Sequence, residues 1–392
     1  MKLVFVHYGE KIKRDINGNY YTDGSYNSAV WESYLSIFSD VTLVMRYDNT
    51  IYSQEEAEQR FNIIPSFFTI HELPDQYASV KDFLDYRTKR KINQIIEQAI
   101  ISTDAVIVRL HGANQAIDYA TKYGKPCLVE VVGCPFDALW NYNLKGKLLA
   151  ISQCLRMKAY VKKAPNVIYV TERFLQKRYP TNGKHIGCSD VKLSDIDSNN
   201  IKVKHKNSGR FIIGTAAAIG VKYKGQQYVI KALGILKRMG FRNIEYQIAG
   251  HGDASYLENV AKKCNVTDQV RFMGSIPHDQ ISKWFKSLDL YIQPSNQEGL
   301  PRALIEAMSC ALPCIGSNVG GIPELLDDAV IFKKKDVNVL ASVIQKMFDL
   351  EFRKQQAQKN YKKSLEFEVA KLDKKRVDFM KTVFTTNVSD CE

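Results

Sequence analysis

Short apolar runs recur along the chain, and between them apolar positions return every three or four residues. The first run, KLVFVHYG (2–9), ends in Gly9, which predicts a buried parallel strand feeding a loop. VTLVMR (41–46), AVIVRL (105–110), PCLVEVVG (126–133) and VIYVT (167–171) read the same way, with helical spacing over 81–100 and 114–124. Strand alternating with helix predicts a doubly wound α/β layer structure over roughly the first 185 residues.

Periodicity then lapses over 179–209, a stretch rich in Pro, Gly, Asn, Ser, Asp and Lys. It restarts with strands expected at 210–217, 244–250, 270–274, 289–295 and 313–318, and with helices at 225–240, 255–265, 278–288 and about 301–310. The closing segment, about 349–383, is charged and helical in pattern. The expected organisation is an N-terminal α/β domain over 1–185, a linker over 186–209 and a second α/β domain over 210–365. A terminal helix over 366–392 is expected to pack back on the first domain.

A chain of 392 residues, 45% of them hydrophobic, suits two such cores. No run of 18 apolar residues occurs, and the apolar stretch after Lys2 is too short for a signal-peptide core. A soluble, cytoplasmic chain is expected. Eight cysteines without a CxxC pair suggest reduced thiols rather than a zinc or redox centre. The formal net charge of +13 favours an anionic partner. Its basic clusters show no aromatic interleaving of the kind that stacks nucleobases, and no helix-turn-helix, zinc-finger or RNP signature appears, so nucleic acid is not expected. No GxGxxG follows the first strand, which argues against a dehydrogenase.

The stretch PSNQEGLPRALIEAMSCALPCIGSNVGGIPELL (294–326) carries the most chemistry. It follows a predicted strand, so its first residues belong at the carboxyl edge of a parallel sheet, where open α/β folds bind ligands. Gly299 permits close backbone approach, and Pro301 suits the first position of a helix. The free amides of the following turn, from residues such as Arg302 and Ala303, would suit a phosphate. Glu298 stands in the loop and Glu306 on the helix, from which a side chain tilts back toward the crevice. Two carboxylates so placed can flank a diphosphate and accept from vicinal hydroxyls, or can be ordinary carboxylates favoured near a helix start.

This segment resembles the donor motif of family 4 retaining glycosyltransferases of the GT-B fold, whose E-x7-E signature Glu298 and Glu306 match. The resemblance extends through IGTAAAIGVKYKG (213–225), IAGHGD (248–253) and VRFMGSIPHDQI (270–281). It implies two Rossmann-like domains facing across a cleft, with the donor in the C-terminal one. By the same resemblance Lys224, before Gly225, would hold the donor diphosphate, Glu298 the sugar hydroxyls and Glu306 the ribose. Gly250, Gly252, Gly299, Leu300, Pro301 and Arg302 would complete the donor site. Many relatives carry an Arg six positions before that Lys. Here the position is Ala218, and Lys222 is a candidate substitute, with Arg302 or a basic residue of the other domain as the alternatives.

Loops after the first domain's strands should form the acceptor side, with Gly9, Asp23, Tyr26, Arg109 and His111 as candidates. Tyr20, Tyr21 and Tyr26 have rings suited to stacking on sugars, and Arg109 and His111 suit an acceptor phosphate or hydroxyl. Some relatives carry a His after the strand KPCLVEVVG, but Val132 and Gly133 stand there here. The segments 109–133 and 170–180 resemble glycosyltransferases of bacterial capsular and exopolysaccharide assembly.

The expected activity is retaining transfer of a hexose or hexosamine from a nucleoside diphosphate sugar, with no cofactor and no catalytic metal. The expected acceptor is a glycan or polyprenyl-linked glycan in polysaccharide biosynthesis, reached by peripheral association with the anionic inner membrane face. The alternatives are a GT-B-type sugar-nucleotide 2-epimerase and a non-catalytic basic binding protein on a nucleotide fold.

Overall fold

The structure is a computed structural model that describes residues 1–23, 26, 28–76, 85–110, 112–141, 144–194, 196 and 209–385. The chain divides into two compact units. One comprises Met1–Phe136, Leu149–Cys188 and Asp373–Glu392, and the other Asp137–Leu148 and Ser189–Leu372.

In the first unit, segments built around short apolar runs form the parallel strands β1 (Lys2–Asp15), β3 (Asp40–Tyr52), β6 (Ala105–Leu110), β7 (Cys127–Val131) and β8 (Asn166–Tyr169), and the more polar β5 (Thr69–Leu73) and β9 (Lys184–Gly187) lie at the ends of the order β5-β3-β1-β6-β7-β8-β9. Such strands are covered on both faces, and Val4, Val6, Val106, Val108 and Val129 are fully buried against helices such as Tyr86–Ile101 and Gln115–Lys122. Strand order reverses between β1 and β6, whose pairing ends at His7 and Arg109. The first strand does not stop at Gly9, as its pattern suggests. After a register shift between His7 and Lys11 it continues to Asp15 and pairs antiparallel with β2 (Tyr20–Thr22), which pairs in turn with β4 (Asn62–Ile63).

The second unit is a six-stranded parallel sheet of β10 (Phe211–Ala216), β11 (Ile244–Ala249), β12 (Val270–Gly274), β13 (Leu290–Gln293), β14 (Cys314–Ser317) and β15 (Ile331–Phe332). Its order, β12-β11-β10-β13-β14-β15, is that of the doubly wound dinucleotide-binding fold, with its switch point between β10 and β13. The helices Gln226–Arg238, Ser255–Lys263, His278–Phe285 and Arg302–Ser309 cover it.

Two details depart from the sequence reading. Residues 137–148 group with the second unit, where the Asn141 amide donates to Oε1 of Gln297 at 3.1 Å. The terminal helical pattern is broken into Leu350–Ser364 and Val369–Phe384. The break comes from extended Glu368, which pairs in parallel with Leu193 while the Leu193 amide donates to Phe367 and its carbonyl accepts from Val369. The last helix then packs within the first unit, Phe384 edge-on against Phe38 at 5.1 Å. There Arg376 donates to Glu130, a carboxylate 1% exposed that also accepts from Arg109 and Tyr34.

Candidate functional site

Four loops meet at the carboxyl edge of the second sheet, and backbone bonds lock them together. Ile219 donates to His251 at 2.8 Å, Asn296 to Tyr223 at 2.7 Å and Gly321 to Gly299 at 2.7 Å. Two glycines make this packing possible. Gly225 has φ 82°, and a β-carbon there would stand 1.9 Å from the Pro294 carbonyl oxygen. Gly320, at φ 57°, leaves room for the Glu298 carbonyl, which a β-carbon would meet at 2.0 Å. Gly250 and Gly252 lie against the backbone of Ala217 and Gly220 in the same way.

Within this frame the 3-10 turn Lys222–Lys224 follows β10 and the loop of Glu298 follows β13, on the two sides of the switch point. Lys224 Nζ lies 2.8 Å from Glu298 Oε1. The same oxygen accepts from the Ser295 hydroxyl at 2.7 Å and from Gln293 Nε2 at 3.1 Å. Gln293 is held in turn by the buried Tyr291 hydroxyl, 2.8 Å from its Oε1. All three donors converge on Oε1, so Oε2 carries none of these bonds. Gln293 and Ser295, which fix the carboxylate, were not singled out in the sequence, where they read as strand-end and turn residues.

The helix Arg302–Ser309 begins one residue later than its pattern suggests. Pro301 is its N-cap, with ψ 114°, rather than its first helical residue, because extended ψ cannot continue a helix. The first amides of a helix have no intrahelical acceptor, and here no side chain caps them. Arg302 is exposed and Glu306 half-buried. Burial pushes the Glu306 carboxyl above the usual range, against the opposing charges of Arg302 and His278. Lys222 is engaged elsewhere, its ammonium 4.6 Å from the centroid of the Tyr256 ring.

At the switch point of the first sheet the candidates fare differently. Tyr26 is 1% exposed, stacks on Trp31 at 5.2 Å and bonds through its hydroxyl to His7 Nδ1 at 2.7 Å. With both faces packed it offers no platform for a sugar, contrary to expectation. Tyr21 is likewise buried, its hydroxyl donating to Asp15, and Tyr20 donates to Glu72. Arg109 pairs with Glu130 at 2.8 Å and lies 5.4 Å from the Tyr26 ring centroid, so part of its charge is already spent inside the fold. His111 lies outside the described residues. Gly9 sits at the bulge of β1, its carbonyl accepting from Arg46 at 2.7 Å. Asp23 pairs with Lys13, and its amide donates to Glu10 at 2.8 Å. Burial and the neighbouring Asp23 charge push the Glu10 carboxyl up to about 7, a group the sequence did not single out.

A doubly wound sheet with a lysine–carboxylate pair at its switch point, beside an uncapped helix start, is a ligand-binding edge of the kind open α/β folds present. The chain belongs to the glycosyl transferases group 1 family, whose family model matches residues 197–364. It is 34% identical over 375 residues to Protein CapJ of Staphylococcus aureus, covering 92% of this chain and 90% of that one. A shorter match, 32% identical over 134 residues and covering 32% of this chain and 33% of the other, is to the amylovoran biosynthesis glycosyltransferase AmsK of Erwinia amylovora. Among solved structures, Anabaena HepE in complex with UDP-glucose superposes with a TM-score of 0.63 at 14% identity, over 97% of this chain and all of that one. The chain is thus an enzyme of the GT-B fold, a glycosyltransferase of the hexosyltransferase type, similar to CapJ and, over its matched part, to a glycosyltransferase of amylovoran biosynthesis. Among the described residues, no helix is long and apolar enough to cross a membrane.

Proposed function

We propose that this chain transfers a hexose or hexosamine, with retention of anomeric configuration, from a nucleoside diphosphate sugar to a glycan or polyprenyl-linked glycan in polysaccharide assembly. The contact between Lys224 and Glu298 at the switch point carries the reading. Lys224 would hold the donor diphosphate together with the first turn of Arg302–Ser309, and a cation with helix amides stabilises the charge of the leaving nucleotide without a metal or cofactor. Glu298, held by Oε1, presents Oε2 to sugar hydroxyls, and Glu306 accepts from ribose hydroxyls. In the step itself the anomeric carbon–phosphate oxygen bond breaks as the acceptor oxygen bonds to that carbon from the same face. The acceptor proton passes to the departing phosphate oxygen.

The likeness to HepE, solved with UDP-glucose, makes UDP-sugars the first donors to test, and AmsK's role in amylovoran biosynthesis supports a polysaccharide acceptor. The formal charge of +13 supports a place at the anionic inner membrane face. The test is thermal stabilisation by UDP-, GDP-, ADP- and CMP-sugars, comparing wild type with Glu306→Ala. One nucleotide class should raise the melting temperature selectively, with the effect lost in the variant. No stabilisation by any of them overturns the reading.

A further inference from the structure

The helix Leu144–Lys163, LKGKLLAISQCLRMKAYVKK, turns one side inward, where Ala150, Met157 and Val161 are buried. The opposite side of a helix in water is normally polar. Here it carries Leu148, Ile151 and Leu155, 80%, 56% and 62% exposed, spaced so that they share one face, with Leu149 beside them. Further along, the exposed residues are Ala159 and the cations Arg156, Lys158, Lys162 and Lys163, the last of which pairs with Asp118, and the helix sequence contains no Asp or Glu. Trp140, 42% exposed, precedes it, with the Lys147 ammonium 5.7 Å from its ring centroid.

We propose that this face is the surface by which the enzyme docks on an anionic lipid bilayer, a proposal that rests on the membrane-facing reading above. Apolar side chains would enter the acyl boundary while the flanking cations meet lipid phosphates, and an interfacial tryptophan suits the headgroup level. A second copy of the chain fits this face poorly, because the helix brings no Asp or Glu to a two-fold contact that could pair with its partner's cations. The apolar and cationic parts act together, since either alone gives weak binding.

The experiment is flotation of the full chain with vesicles of phosphatidylcholine alone or mixed with phosphatidylglycerol. The wild type is compared with Leu148→Gln/Leu155→Gln and with Arg156→Glu/Lys158→Glu. All four positions are exposed, so folding should be intact; melting temperature and its rise with the donor nucleotide sugar check this. The wild type should float only with the anionic vesicles, and each double variant should bind at least about tenfold more weakly. Unchanged binding by the leucine variant overturns this assignment while leaving the membrane reading standing. No binding by the wild type overturns both. A wild-type dimer that the leucine variant turns into a monomer, without vesicle binding, assigns the face to self-association instead.

Discussion

The ammonium of Lys224 lies 2.8 Å from Oε1 of Glu298, joining the loops that leave β10 and β13, the two strands between which sheet order reverses. The pair is partly buried, with the side chains 23% and 11% exposed. Glu298 also keeps Ser295 and Gln293 as donors, so it does not depend on the lysine to hold its position. Lys224→Met should therefore cost only about 1–2 kcal/mol of stability. Turnover should fall by about two to three orders of magnitude, because the developing diphosphate charge loses its cation. Steady-state kinetics and denaturant unfolding on the same preparation separate the two effects.

Gly225→Ala tests the packing of that loop. The substitution places a β-carbon against the Pro294 carbonyl and forces alanine into a left-handed conformation. A loss of about 2–4 kcal/mol is expected. Because the strain falls beside Lys224, donor affinity should drop too, measurable by calorimetry at a temperature where the variant is folded.

Glu306 opposes stability to function. Its carboxyl binds a proton more tightly folded than unfolded, so its favourable contribution is present below the ordinary carboxylate range and is lost as pH rises through the elevated folded value. Glu306→Gln should accordingly melt higher than wild type at pH 8 and converge with it in acid. Stabilisation by the donor nucleotide sugar should shrink in the same variant, since an amide accepts hydroxyl donors less strongly than a carboxylate.

Glu10 gives a second pH signature in the first unit. Its carboxyl is pushed up to about 7, so wild type should lose stability between about pH 4.5 and 7 relative to Glu10→Gln. The amide oxygen of glutamine still accepts from the Asp23 backbone. The effect is on the order of 1 kcal/mol after allowance for solvent screening. Melting curves at pH 5 and pH 8 check it.

Much of the second unit was legible because its strands are continuous apolar runs bounded by glycine and proline, the pattern of doubly covered parallel strands. The spacing of Glu298 and Glu306 and the Lys224–Gly225 pair stood out through the resemblance of their segments to the donor motif, with Glu298 and Lys224 in loops that follow strands. What stayed hidden depends on distant partners. Nothing near Gly9 foretells that β1 continues to pair with β2, and nothing near Glu368 foretells that Leu193 splits the terminal helix. β5 alternates polar and apolar residues and ends in one buried leucine, a weak local signal. Tyr26 lies in a turn-rich segment, yet Trp31 and His7 draw it into the core. In Leu144–Lys163 apolar and basic residues are mixed along the sequence, and the outward leucines became visible only once the inward face was known.

The carboxylate of Glu130 has one further consequence, for the order of events during synthesis. Arg109 and Tyr34 are available to it early, but Arg376 is translated only after the whole of the second unit. The second unit, complete by Leu372, can fold while the first still waits for its final helix. The half of the enzyme that is translated first is therefore the half that is finished last.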